Sequence, residues 1–236
     1  MDTRIKGTLL SSMAVVLAIG MMGVAYARTD SPIEPQCTSG ERLNLQIRDQ
    51  NERWGDAVSA TWVANNMAPG NDYSFDGSFV GLRSNSKGKI AINCDYRLSG
   101  QFPSPKAGTS QPSNIHSDEM AKQLIITRCV YKSNSWQIDC LTGIPTGISA
   151  KDQRSYCDSH DSRWRIQDVD HDGRITFYDL KQMPLTGLPL PAGANNTEGA
   201  RFIMSVKFAD SAGNDLQGDT LNLTMLYTFT PRQGDD

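Results

Sequence analysis

The last forty or so residues restrict the fold more than any other stretch. Phe202, Met204, Val206 and Phe208 alternate with Arg201, Ile203, Ser205 and Lys207. A turn holding Gly213, Asn214 and Asp215 follows. Leu221, Leu223, Met225, Tyr227 and Phe229 then alternate with Asn222, Thr224, Leu226 and Thr228. A period of two gives each strand one apolar face and one largely polar face. That is the pattern of antiparallel sheet packed on one side. Two such strands cannot bury their apolar faces alone, so other strands must cover them.

Earlier stretches supply partners. Leu43, Leu45 and Ile47 alternate with Asn44, Gln46 and Arg48, and Val58, Ala60 and Trp62 repeat the pattern. Pro69-Gly70 predicts a type II turn, with glycine at the position of positive φ. Residues 73–82 are strand-like, and Lys87-Gly88 turns the chain again. Ile90, Ile92, Cys94, Tyr96 and Leu98 then alternate cleanly with polar neighbours. Residues 100–114 read as a Pro/Ser/Gly-rich linker. Residues 117–122 predict one helical turn, capped by Ser117. Residues 124–131 and 136–141 predict a hairpin, and 143–163 is loop-rich. A short helix over 177–183 is stopped by Pro184 and the Gly/Pro-rich run to Gly193. The expected fold is all-β: a β-sandwich over 41–236, with an irregular insertion over about 101–199.

Within that insertion, Asp168-Val-Asp170-His-Asp172-Gly173-Arg174-Ile175-Thr176-Phe-Tyr-Asp179 specifies a chemistry by spacing alone. Carboxylates stand at positions one, three, five and twelve, and glycine stands at six. This is the ligand pattern of an EF-hand-like calcium loop. A hard cation needs several oxygens, and a chain turning sharply at Gly173 can present them. Asp168, Asp170, Asp172 and Asp179 would bind through side chains. Arg174 would bind through its backbone oxygen, and Thr176 directly or through water. Position twelve is aspartate rather than glutamate, a shorter arm. The alternative is an acidic surface turn ahead of a helix.

The N-terminus reads as an export signal. Arg4 and Lys6 precede an apolar run over 9–24, and Ala25-Tyr26-Ala27 has the small-x-small cleavage pattern. Cleavage after Ala27 leaves 209 of the 236 residues, enough for a substantial core. Losing Asp2, Arg4 and Lys6 moves the formal net charge from −3 to −4. Nothing is basic enough for nucleic acid, and no later segment is apolar enough for a membrane span. Of the five cysteines, Cys129 and Cys140 flank a tight turn and are expected to form a disulfide across the hairpin. Closing so short a loop contributes about 3 kcal/mol. Cys37, Cys94 and Cys157 leave the other pairing open.

The order of these pieces resembles the TasA/camelysin family of secreted, fibre-forming surface and biofilm-matrix proteins. The residues that carry the likeness are LNLQI at 43–47, MAPGNDYSFDGSFVGLRS at 67–84, DGRITFYDLKQMPLTGLPLPAG at 172–193 and RFIMSVKFADSAGNDLQGDTLNLTMLYTFTPRQ at 201–233. The resemblance implies a jelly-roll-like sandwich. It also implies polymerisation by donor-strand complementation, with 28–40 as the extended donor segment and other copies of the chain as partners in a head-to-tail polymer. Pro32 and Pro35 and the cysteines depart from the family pattern. A camelysin-like metalloprotease is the enzymatic alternative. It lacks a constellation here, because His116, His160 and His171 are not spaced as zinc ligands. A carbohydrate-binding or surface-adhesion module is the other, with Trp136 and Trp164 as sugar platforms. The expected location is outside the cell.

Overall fold

A computed structural model describes residues 20–29, 45–49, 53–64, 68–73, 79–99, 114–133, 136–147, 163–192, 199–212, 216 and 220–232. Its elements in order are β1 (Gly20–Thr29), β2 (Leu45–Arg48), β3 (Ala57–Ala64), β4 (Asp72–Tyr73), β5 (Val80–Ser84), β6 (Gly88–Ser99), α1 (Asn114–Gln123), β7 (Leu124–Ser133), β8 (Gln137–Asp139), β9 (Ile144–Thr146), α2 (Phe177–Gln182), β10 (Leu185–Leu190), β11 (Ala200–Phe208) and β12 (Thr220–Pro231). The fold is all-β. One sheet runs β10-β6-β12-β1-β3. The other runs β2-β5-β11-β7-β8-β9, with β4 paired to β11. Among the described residues pairing is antiparallel, except that β1 runs parallel to β12.

The alternation of the closing strands becomes burial. Leu221, Leu223, Met225, Tyr227 and Phe229 are fully buried, as are Phe202, Met204, Val206 and Phe208. Each such side chain contributes about 1.5–3 kcal/mol by leaving water. The two strands do not pair with each other. β12 pairs along its length with β6, whose Ile90, Ile92, Cys94 and Tyr96 are buried, whereas β11 lies between β5 and β7 in the other sheet. Their apolar faces join one hydrophobic cluster drawn from both sheets.

The stretch read as an irregular insertion is woven into both sheets. It supplies β7, β8 and β9 to one sheet and β10 to the other. The Gly/Pro-rich run after α2 becomes β10, an edge strand, which is where a proline costs no ladder bond. Gly187, at φ 72, accompanies a register shift between Leu185 and Leu188, so Leu185, Leu188 and Leu190 are all buried. The Pro69-Gly70 turn forms as expected. Asn71 donates its N–H to the Ala68 carbonyl at 3.2 Å, and Gly70 has φ 82.

Two further differences concern chain ends and caps. α1 begins at Asn114, so Ser117 lies within the helix, 5% exposed, rather than capping it. The segment expected to end the export signal forms β1. Of the expected donor segment, Arg28 and Thr29 belong to β1 and 30–40 lie outside the described residues.

Candidate metal centre

The acidic loop turns through two left-handed residues. His171 at position four has φ 60 and Gly173 at position six has φ 81. A Cβ at Gly173 would touch nothing within 4 Å, so glycine is there for its backbone freedom and not for space. The loop holds its shape through its own carboxylates. Asp168 accepts from the N–H of Asp172 at 3.2 Å and of Gly173 at 2.9 Å. Asp172 accepts from the N–H of Arg174 at 2.8 Å.

Both ends of the loop are fastened to the β7–β8 hairpin. Ile166 donates its N–H to the Cys140 carbonyl at 2.9 Å, and Ile126 on β7 donates to the Ile175 carbonyl at 2.7 Å. Ile166, Phe177 and Leu180 are fully buried beneath it. α2 is tied to the other sheet. The Cys94 thiol lies 3.4 Å from the Phe177 carbonyl, and Lys181 pairs with Asp95 at 2.9 Å.

One carboxylate oxygen from each of Asp168, Asp170 and Asp172 lies within 4.8 Å of the others. Two cations lean on this cluster. Lys122 of α1 pairs with Asp170 at 3.3 Å, and the Arg174 guanidinium pairs with Asp172 at 2.6 Å. The other Asp170 oxygen, Oδ1, is buried and has no hydrogen-bond partner among the described residues. A buried carboxylate oxygen without a donor is costly, and a cation removes that cost. The donor set is oxygen only, which suits a hard divalent ion such as calcium.

The structure brings together three of the expected side-chain ligands, Asp168, Asp170 and Asp172, and engages Asp179 and Thr176 elsewhere. Asp179 is fully buried, and its carboxylate accepts from Val169 N at 2.8 Å, Thr176 N at 2.8 Å and Thr176 Oγ1 at 2.7 Å. These bonds form a capping box at the start of α2 and tie loop positions two and nine to position twelve. Thr176 is 1% exposed and its hydroxyl is spent on Asp179. The Arg174 side chain answers Asp172, leaving only its backbone oxygen as a ligand. Asp179 and Thr176 therefore hold the loop closed, and the short aspartate arm explains why. It reaches the neighbouring backbone and stops there.

Cys129 and Cys140 are directly opposed across the hairpin, with Cys140 N–H donating to the Cys129 carbonyl at 2.8 Å. Both are buried and stand as free thiols. In an antiparallel ladder such a bonded position separates the Cα atoms by about 5.5 Å, inside the range a disulfide spans. Burial, then a hydrogen bond with Cys140 that holds the Cys129 proton, pushes the Cys129 thiol well above its ordinary value. Cys94 is a third buried free thiol, while Cys37 and Cys157 lie outside the described residues.

Trp164, Trp136 and Trp54 each have different surroundings. Trp164 is 3% exposed and donates Nε1–H to the Gly187 carbonyl at 3.2 Å. Trp136 packs on Tyr131 with ring centroids 6.0 Å apart. The Arg48 and Arg83 guanidiniums each lie over the Trp54 ring, at 4.7 and 4.5 Å from its centre. Burial, then Arg48, lowers the pKa of Arg83 from its ordinary value. Sequence reading missed this stack because its members are distant in the chain. His171 is exposed in the acidic loop.

No protein-family model, curated protein or solved structure matches this chain.

Proposed function

We propose that this chain is a secreted structural subunit that polymerises head to tail into extracellular fibres, of a biofilm matrix or a cell surface. The subunit is a jelly-roll-like sandwich. Calcium at Asp168, Asp170 and Asp172 and a Cys129–Cys140 disulfide staple it. The observation that carries this reading is β1, which is an inner strand, flanked by β12 and β3. Its residues straddle the expected cleavage bond, and after a cut behind Ala27 only Arg28 and Thr29 of that strand remain.

A sheet short of an inner strand presents two facing rows of unpaired N–H and C=O groups. An extended segment from a second copy satisfies both rows by strand addition. The giving and receiving surfaces differ, so the contact does not close on itself and a filament grows. The donor is the segment 28–40, freed by cleavage. Electron microscopy of the chain beginning at Arg28 tests the reading. Filaments are expected, and deletion of 28–39 should abolish them. A chain that stays monomeric, with or without that segment, refutes the polymer.

A further inference from the structure

β1 is more than one strand among five. All of its partners on β3 are matched by Met21, Met22, Val24, Ala25 and Tyr26, and every one of these precedes the bond after Ala27. Among the described residues β3 has no other ladder partner. On the β12 side, Gly20 to Ala27 face Thr220 to Tyr227, and only the pairs Arg28–Thr228 and Thr29–Phe229 would survive a cut. The cleavage motif itself lies within the strand, with Ala25 and Tyr26 paired on both sides.

We infer that the end of the export signal is an intramolecular plug. In the uncut chain, residues 20–29 fill the slot between β12 and β3 and complete the sheet. Cutting after Ala27 empties the slot and releases β3 from its sheet. Processing thereby converts a self-completed chain into one that accepts an extended peptide, laid parallel to β12 and antiparallel to β3. The partner at β12 is fixed by register. The inserted strand meets Leu223, Met225 and Tyr227, all fully buried, and the plug presents Gly23, Ala25 and Ala27 at those positions. The ligand is therefore an extended peptide with small residues at every second position along that run.

The same geometry says that a folded, uncut chain resists processing. A protease must draw its substrate out as a free strand, and here both ladders of that strand are occupied. Cutting must precede folding, or be followed by loss of the plug. This inference rests on the cleavage bond of the proposed function, but its test does not depend on polymerisation.

The experiment compares amide exchange in the uncut chain 1–236, in the chain 28–236, and in the latter with a synthetic peptide of residues 20–29. Amides of β3 should be protected in the uncut chain. In monomeric 28–236 they should lose roughly a hundredfold or more in protection, and the peptide should restore it. A peptide with Ala25→Trp sets a bulky residue at the register position of the buried Met225 and should not restore it. If 28–236 folds only when the peptide is present, the slot is equally supported. Equal protection of β3 in monomeric 28–236 without peptide overturns the plug, as does indifference to the peptide. Restoration by the peptide in a chain that never forms filaments retains the slot and refutes the fibre. Filaments whose β3 amides stay unprotected retain the fibre and refute the slot.

Discussion

Calcium should raise the melting temperature of the folded chain through three carboxylates. An ion that binds only the folded state contributes about 2.7 kcal/mol when its concentration is a hundredfold above the dissociation constant. For a domain of this size, 1 kcal/mol moves the midpoint by about 2–4 °C. The expected rise is therefore about 5–11 °C, read by calorimetry in chelator and in saturating calcium. The informative variant is the double replacement Asp168→Asn with Asp172→Asn. Asparagine keeps a carbonyl oxygen to accept from Gly173 and Arg174, so the metal-free loop should lose only about 1 kcal/mol. It also removes the two charges, so the calcium response should vanish. Asp179→Asn is the contrasting case. Asp179 accepts three hydrogen bonds while fully buried. Its loss should lower the midpoint in chelator more than the double variant does, whatever calcium then contributes. An unchanged wild-type melt in millimolar calcium, or an undiminished response in the double variant, refutes the site.

The Tyr227 hydroxyl is buried and has no hydrogen-bond partner among the described residues, so Tyr227→Phe should be neutral or stabilise by about 1 kcal/mol in chemical denaturation. A loss of more than 1 kcal/mol would show that the hydroxyl is satisfied. Cys94, Cys129 and Cys140 are buried, and burial raises the Cys94 and Cys129 thiols above their ordinary values. Since the thiolate is the reactive form, Cys94 should resist a thiol reagent in native protein and react promptly in denaturant. The hydrogen bond from Lys181 holds the Asp95 carboxyl below its ordinary value. A depressed carboxyl stabilises the fold above its unfolded pKa and loses that contribution as pH falls through the folded one. Acid titration of Asp95→Asn should therefore converge on the parent as pH falls through the lowered folded value, and differ from it above the ordinary carboxylate range. The difference should be small, because the pair is exposed.

Much of the sheet was legible because burial acts on alternate residues. Leu221 to Phe229, Phe202 to Phe208 and Ile90 to Tyr96 read the same way in sequence and in space. What alternation does not contain is which strand lies beside which. The two closing strands look like a hairpin, yet β11 and β12 belong to different sheets. The region 101–199 reads as irregular because its strands are short, proline-bearing or bulged. Gly187 and Pro189 mask β10, whose three buried leucines fall out of strict period. The loop's shape was legible from Asp168, Asp170, Asp172 and Gly173. The role of Asp179 was not, since spacing places a carboxylate at position twelve without saying that its oxygens meet Val169 and Thr176 first. β1 was hidden for another reason. An apolar run near a cleavage pattern serves export and also reads as a strand, and composition cannot separate the two uses.

The loop and the slot meet through β6. α2 leaves the loop and is fastened to β6 by Lys181 on Asp95 and by the Cys94 thiol at the Phe177 carbonyl. β6 in turn pairs with β12 from Gly88 to Ser99, and β12 forms one wall of the slot. The same loop grips the β7–β8 hairpin of the other sheet through Ile166 and Ile175. Asp168, Asp170 and Asp172 thus sit on a segment joined to β12 through β6 and to the other sheet through β7. Among the described residues the only ladder of β3 is on β1, and the chain just before β3 is bridged to β2 through Gly55 and Ile47. β12 supplies a fixed register along Thr220 to Phe229 for the strand laid beside it.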